Sequence, residues 1–143
     1  MSKSNLHENA YLKLVFQNIA MANIGDAAGI LPSATAGNLF VALYTADPTD
    51  TDSGTEATYT SYARVAIPRS AIGWAVAGNV ASNVGDVIFP VSLGVTNTIT
   101  HWGIRTALTL GDLIGSGSLT GAVEIITGDT PKFNAGVITV TEE

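Results

Sequence analysis

Asp47, Asp50, Asp52 and Glu56 stand close together in TADPTDTDSGTEAT, and Arg64 and Arg69 follow in the next segment. Clustered carboxylates are the residues that hold a hard cation, which takes oxygen ligands. The spacing fails that test, because counting Asp50 as the first loop position puts Ser61 at the twelfth, where a calcium loop needs a bidentate Glu. We therefore read the segment as a solvated loop without a metal. Arg64 and Arg69 are expected to form salt bridges to it, since guanidinium and carboxylate pair as a fork. Asp47, Asp50, Asp52, Arg64 and Arg69 are also the polar residues a protein neighbour would meet there.

Other reactive residue types do not assemble. His7 and His101 lie far apart with no second His or Cys at metal spacing, and the chain has no cysteine. His101, beside Trp102, reads as a packed histidine. No G-x-S-x-G elbow marks a nucleophile, and Ser116 sits in GSGS, which reads as flexible. The glycine-rich pieces lack the strand, helix start and lysine of a phosphate loop. No pair among the twelve carboxylates is singled out for glycoside hydrolysis. The expectation is a protein with no catalytic residue, metal or cofactor, hence not an enzyme.

Twelve acidic residues against six Lys and Arg give a net charge of −6, with the cations scattered. Nucleic-acid backbones are bound by clustered positive charge, so that partner is not expected. Only 13% of residues are charged, which leaves a neutral surface suited to being covered by neighbours. At 143 residues the chain is expected to form a single domain, burying roughly 70% of its unfolded surface. The opening MSKSNLHENAYLKLVF carries Glu8 and Lys13 among its apolar residues, so neither a signal peptide nor a membrane span is predicted. Synthesis in the cytoplasm without export is the corresponding expectation.

The elements that position these residues follow from periodicity. Asn5 with Glu8 reads as a capping box opening a helix from about Leu6 to Gln17. Leu12, Val15, Phe16 and Ile19 form its apolar stripe, widened by Tyr11 and Leu14. Tyr11 and Leu14 are the part of that face available to a partner. Residues 18–37 read as an irregular connector. Strands are predicted at Leu39–Thr45, Tyr59–Ile67 (ended by Pro68), Ile72–Val76, Val80–Val84, Val87–Phe89, Thr98–Ala107, Leu113–Thr120, Val123–Thr127 and Val137–Thr141. Gly78-Asn79 supplies a hairpin turn, and Gly-Asp pairs at 25, 85, 111 and 128 supply others. Gly103 suggests a bulge or a close neighbour. The pattern predicts a mostly β fold: an antiparallel two-sheet β-sandwich of jelly-roll type over 38–143, preceded by an N-terminal amphipathic helical segment, 1–20.

NLFVALYTADP at 38–48, SYARVAIPR at 61–69, ITHWGIR at 99–105 and FNAGVITVT at 133–141 together resemble a family of small virion proteins of tailed bacteriophages and prophages, often labelled tail fibre proteins. The similarity runs over nearly the whole chain. It implies a structural component of the virus particle. In its size range and expected jelly-roll or β-sandwich fold the chain also resembles the cement or decoration proteins that clamp major capsid subunits from the capsid exterior as dimers or trimers. It lacks the long repeats of a fibre, so decoration of the major capsid protein shell, as a homo-oligomer, is the expected role. A tail fibre or baseplate component is the alternative, with Trp74 and Trp102 the candidates for stacking on a host glycan if exposed.

Overall fold

The computed structural model describes residues 1–143. It is mostly β, with one N-terminal helix and antiparallel sheets. The chain forms two compact units, one from residues 1–38, 67–86 and 134–143, the other from residues 39–66 and 87–133. The strands form sheets of four, three and two strands, with which a two-sheet sandwich is compatible.

The first unit is organised by helix α1, Asn5–Gln17. Its N-cap is Ser4 and not Asn5: Ser4 is extended (φ −86°, ψ 147°) and its Oγ faces the N–H of His7 at 3.4 Å. A hydroxyl serves here as well as an amide. Glu8, Leu12 and Phe16, each four residues apart, form the buried line, whereas Ile19 lies beyond the helix and is exposed. The Phe16 ring meets Trp74 edge to face at 4.8 Å, and the side-chain amide of Gln17 donates to the Trp74 carbonyl at 2.7 Å. Asn18 ends the helix in the left-handed region (φ 56°), and its amide bonds both the carbonyl and the N–H of Ser33, tying down the connector.

Strands β3 (Trp74–Ala77), β4 (Val80–Asn83) and β9 (Thr139–Thr141) form this unit's sheet in the order β3-β4-β9. The Gly78-Asn79 turn joins β3 to β4 as predicted, with Ala77 opposite Val80. Ile72 stays outside the strand and is exposed. Asn83 is the polar hub: it is buried, its Nδ2 donates to the carbonyls of Gly85 and Asn134, and its Oδ1 accepts from Ile138 N–H at 2.9 Å. A buried amide is tolerated only with its hydrogen bonds made.

The second unit holds most of the four-stranded sheet, ordered β2 (Val65–Pro68), β1 (Asn38–Tyr44), β6 (Asn97–Arg105), β7 (Leu113–Ile125). A short pair, β5 (Val87–Ile88) with β8 (Lys132–Phe133), lies in the same unit, and β8 had no signal in the sequence. The predicted Tyr59–Ile67 strand shrinks to β2. A turn at residues 59–62, with Tyr62 N–H donating to Tyr59 C=O at 2.9 Å and Ser61 at φ 81°, breaks the extended run. Pro68 sits at the end of an edge strand, where its missing N–H is harmless.

The predicted break between residues 120 and 123 is absent: β7 is one strand, and Ser116 lies in it and not in a flexible run. Two glycines explain how it seats. A Cβ on Gly117 would fall 2.6 Å from the Trp102 ring, and one on Gly103 would fall 2.8 Å from the Tyr44 ring. Gly103 thus marks a close neighbour, and the ladder irregularities flank it at Ile99/His101 and Ile104/Arg105.

Candidate functional site

The acidic loop leaves β1 at Tyr44 and returns at Glu56, which bridges back to Tyr44. Thr45 N–H to Thr55 C=O (2.8 Å) and Ala57 N–H to Leu43 C=O (2.8 Å) close its neck. Its carboxylates do not simply repel one another in solvent. Glu56 accepts from Arg64 Nε (2.8 Å) and Nη2 (2.7 Å) and from the Tyr62 hydroxyl (2.7 Å). Asp52 accepts from Arg105 Nη1 (2.6 Å) and Nη2 (2.8 Å). Asp47 Oδ2 stands 3.7 Å from His101 Nε2, and its Oδ1 accepts from Thr49 N–H. Asp50 remains at the exposed tip.

The two arginines also reach past the carboxylates to one turn, residues 106–112. Arg64 Nη1 donates to the carbonyls of Ala107 and Leu110, both at 2.7 Å, and Arg105 Nη2 donates to Gly111 C=O at 2.6 Å. Each guanidinium therefore holds both loops: Arg64 divides its fork between them, and Arg105 turns both Nη groups to Asp52 while its Nη2 also reaches the turn. The fixed planar geometry of Arg suits this double duty, which Lys could not perform. Arg105 also donates to the buried Tyr44 hydroxyl at 2.8 Å. The outcome is two loops locked together, with Leu108 and Leu110 held outward at 52% and 85% exposure. Leu110 has φ 57°, a conformation that a branched side chain rarely adopts and that the surrounding bonds must hold. With Glu56, Tyr62 and Arg64, the two leucines border an open groove of about 440 Å³.

Arg69 takes a different place from the one expected. Its Nε and Nη2 donate to the carbonyls of Val15 (2.7 Å) and Leu14 (2.8 Å) in the last turn of α1, and its Nη1 to Ala36 C=O (3.0 Å). It caps the helix and does not pair with the acidic loop, because the carbonyls at a helix C-terminus attract a cation. Arg64 does pair with that loop, as predicted. The stronger neighbour of Asp52, Arg105, was missed. The available signal was an arginine closing the apolar strand THWGIR, a placement that demands a carboxylate partner. Tyr11 is 41% exposed and Leu14 half-buried on α1. Trp74 and Trp102 are both buried, so neither ring offers a platform for a sugar.

Charge states follow from the clamps. The Arg105 hydrogen bonds hold Asp52 below its ordinary value of 3.8, outweighing its desolvation. Burial pushes Glu56 upward, yet the hydrogen bonds from Arg64 and Tyr62 overcome this and leave it below its ordinary value of 4.5. Burial together with the Glu56 hydrogen bond raises Tyr62 far above the usual phenol range, so it stays a donor. Both carboxylates are depressed in the folded state. Their contribution to stability is thus complete above 3.8 and 4.5 and is lost as pH falls through the lower folded values. Thermal melts across a pH series should be flat at neutral pH and fall steeply in acid, and Arg105→Gln should flatten the acid limb. A melting temperature unchanged down to about pH 2 would contradict the clamps.

Two of the loop's carboxylates, Glu56 and Asp52, face guanidinium groups, and the turn is held by its carbonyls. Such an arrangement is suited to fixing a surface. No curated protein matches the chain. A family model described as Podophage GP4 fiber I protein gp80 matches residues 2–141. With a match that leaves out only the outermost residues, the chain belongs to the Podophage GP4 fiber I protein gp80 family and is a fibre-type structural protein of a phage virion.

Proposed function

We propose that this chain is a non-catalytic building block of the fibre apparatus, bound to its neighbour in the particle through the turn at residues 106–112. The observation that carries the reading is the pair Leu108 and Leu110, held exposed on a turn that two buried arginines immobilise from beneath. Exposed apolar side chains on a rigid support can serve a protein partner as anchors, because less ordering entropy is then lost on binding. The fibre designation of the family supports a seat on the tail.

A second reading, decoration of the major capsid protein shell from the capsid exterior, is favoured by the short chain and its long loops at 45–58 and 90–98. Co-sedimentation of the purified chain with isolated tails and, separately, with expanded empty heads distinguishes the two. Saturable binding to tails is the expected result, weakened about thirtyfold by Leu108→Asp/Leu110→Asp. Binding to heads alone would replace the fibre reading with the cement reading. Undiminished binding by the double variant would remove the leucine turn from either.

A further inference from the structure

Strand β7 ends the four-stranded sheet, so one side of its backbone has no strand beside it. The free N–H and C=O groups of such an edge are a template for another strand, and edges are normally blocked by charge, proline or a bulge. Residues 113–118, LIGSGS, carry neither charge nor proline, and Gly115 to Ser118 pair with β6 in regular register. The two faces of this segment differ. Ser116 is exposed and, with Thr49, Asp50 and Asp52, borders an open groove of about 400 Å³ beside the acidic loop. Gly115 and Gly117 alternate with it and leave the other face bare: a Cβ on Gly115 would meet nothing, and one on Gly117 would meet the Trp102 ring. The groove is negative and its charge is not cancelled. Asp52 pairs with Arg105, whereas Asp50 has no ion pair or hydrogen bond. The unit around it holds seven carboxylates, Asp47, Asp50, Asp52, Glu56, Asp112, Glu124 and Asp129, against three cations, Arg64, Arg105 and Lys132.

We propose that residues 113–118 accept a strand from a different protein, in which a Lys or Arg opposite Ser116 is flanked on both sides by bulky apolar residues. The edge sets the form of the occupant, because an extended backbone satisfies its unpaired groups. The faces set the pattern. Side chains alternate along a strand and cross-strand pairs share a face, so a residue opposite Ser116 enters the groove that Asp50 borders. Its two neighbours fall over Gly115 and Gly117, where apolar side chains fill the space the glycines leave, beside Trp102. Charge sets the sign, since a cation is drawn to Asp50 and a carboxylate is repelled. A second copy does not supply this pattern. Its net charge is −6, and the cations in its strands are Arg105, buried in the clamp, and Lys132, in a strand of two residues. The inference adds a surface to the leucine turn and holds whether or not that turn is the anchor.

The probe is a capped peptide, Ser-Thr-Val-Lys-Val-Thr-Ser, compared with its counterpart carrying Glu in place of Lys, each titrated into the full chain and followed by amide NMR. The Lys peptide is expected to shift the amides of residues 113–118 and to bind about fivefold more tightly than the Glu peptide at low ionic strength, with the preference shrinking as salt is added. Asp50→Asn should reduce the preference to about twofold or less, since Asp52 is already paired. Asp50→Asn/Ser116→Lys should reverse it in favour of the Glu peptide; both positions are exposed, so the circular dichroism spectrum should not change. The Lys peptide N-methylated at every amide lacks the donors of a strand and should not bind. Absence of binding at millimolar Lys peptide would overturn the proposal. So would equal binding of the Lys and Glu peptides, shifts confined to residues outside 113–118, or binding that survives N-methylation.

Discussion

Phe16→Asp is expected to unfold the first unit. Phe16 is 1% exposed and its ring lies edge-on against Trp74, itself fully buried, so the substitution removes an aromatic contact and sets a carboxylate in its place. Truncating a buried Phe costs about 3–5 kcal/mol, and an unpaired buried charge adds more. The sum is comparable with the roughly 5–15 kcal/mol that holds a typical domain together. Far-ultraviolet circular dichroism should show loss of the helix signal at room temperature. Phe16→Leu keeps an apolar group of smaller volume and should fold with a melting temperature a few degrees lower. Tyr11→Asp, on the exposed side of the same helix, should leave melting nearly unchanged. If Phe16→Asp melts like the parent, the line Glu8, Leu12, Phe16 is not the helix's packing face.

That line shows what periodicity reveals and where it stops. The spacing of Leu12 and Phe16 located the buried side of α1, because burial in a helix repeats with the turn. Val15, at i+3 in the same pattern, lies in the helix and is half-buried, whereas Ile19, at i+7, was overassigned. Asn18 turns the chain before Ile19 can be helical. The two-residue hairpin at Gly78-Asn79, β1 and β6 were likewise local enough to be read from sequence, since turn chemistry and alternation fix them. Tyr59 to Arg64 alternates like a strand yet is not one. The decisive partner is remote: Asn97 Oδ1 accepts from the N–H groups of both Thr58 and Tyr59 and holds that backbone out of a ladder. The clamp was half legible for the same reason. Arg64 and Glu56 are neighbours in sequence, whereas Arg105 reaches Asp52 only through the antiparallel pairing of β1 with β6. The carbonyls it holds at residues 107–111 carry no sequence signal, because every residue has one.

The clamp itself makes the second large prediction. Arg64→Met should cost about 3–5 kcal/mol, because it leaves Glu56 three-quarters covered with only the Tyr62 hydroxyl to satisfy it and strips two carbonyls of their donor. Removing the carboxylate as well should help. Arg64→Met/Glu56→Leu replaces the ion pair by apolar groups, and a pair removed whole costs less than a pair broken. The double variant is therefore expected to be more stable than Arg64→Met alone, with a coupling energy of about 2 kcal/mol in the cycle completed by Glu56→Leu. Denaturant melts of the four proteins measure it; additive effects would show that the fork at Glu56 contributes nothing specific. The turn gives an independent readout. In the double variant the turn keeps Arg105 to Gly111 and the Thr106–Asp112 hydrogen bonds at its neck but loses the donor to the carbonyls of Ala107 and Leu110, so amide exchange at residues 107–110 should accelerate while the β6 amides stay protected. Where the apolar replacement restores global stability but not protection of that turn, binding to the virion partner proposed above should stay weak. Stability and binding then separate, as they must if the arginine serves to hold Leu108 and Leu110 in place and not merely to stabilise the fold. Recovery of full binding by the double variant, with the turn still exchanging fast, would dissociate the leucine anchor from the clamp beneath it.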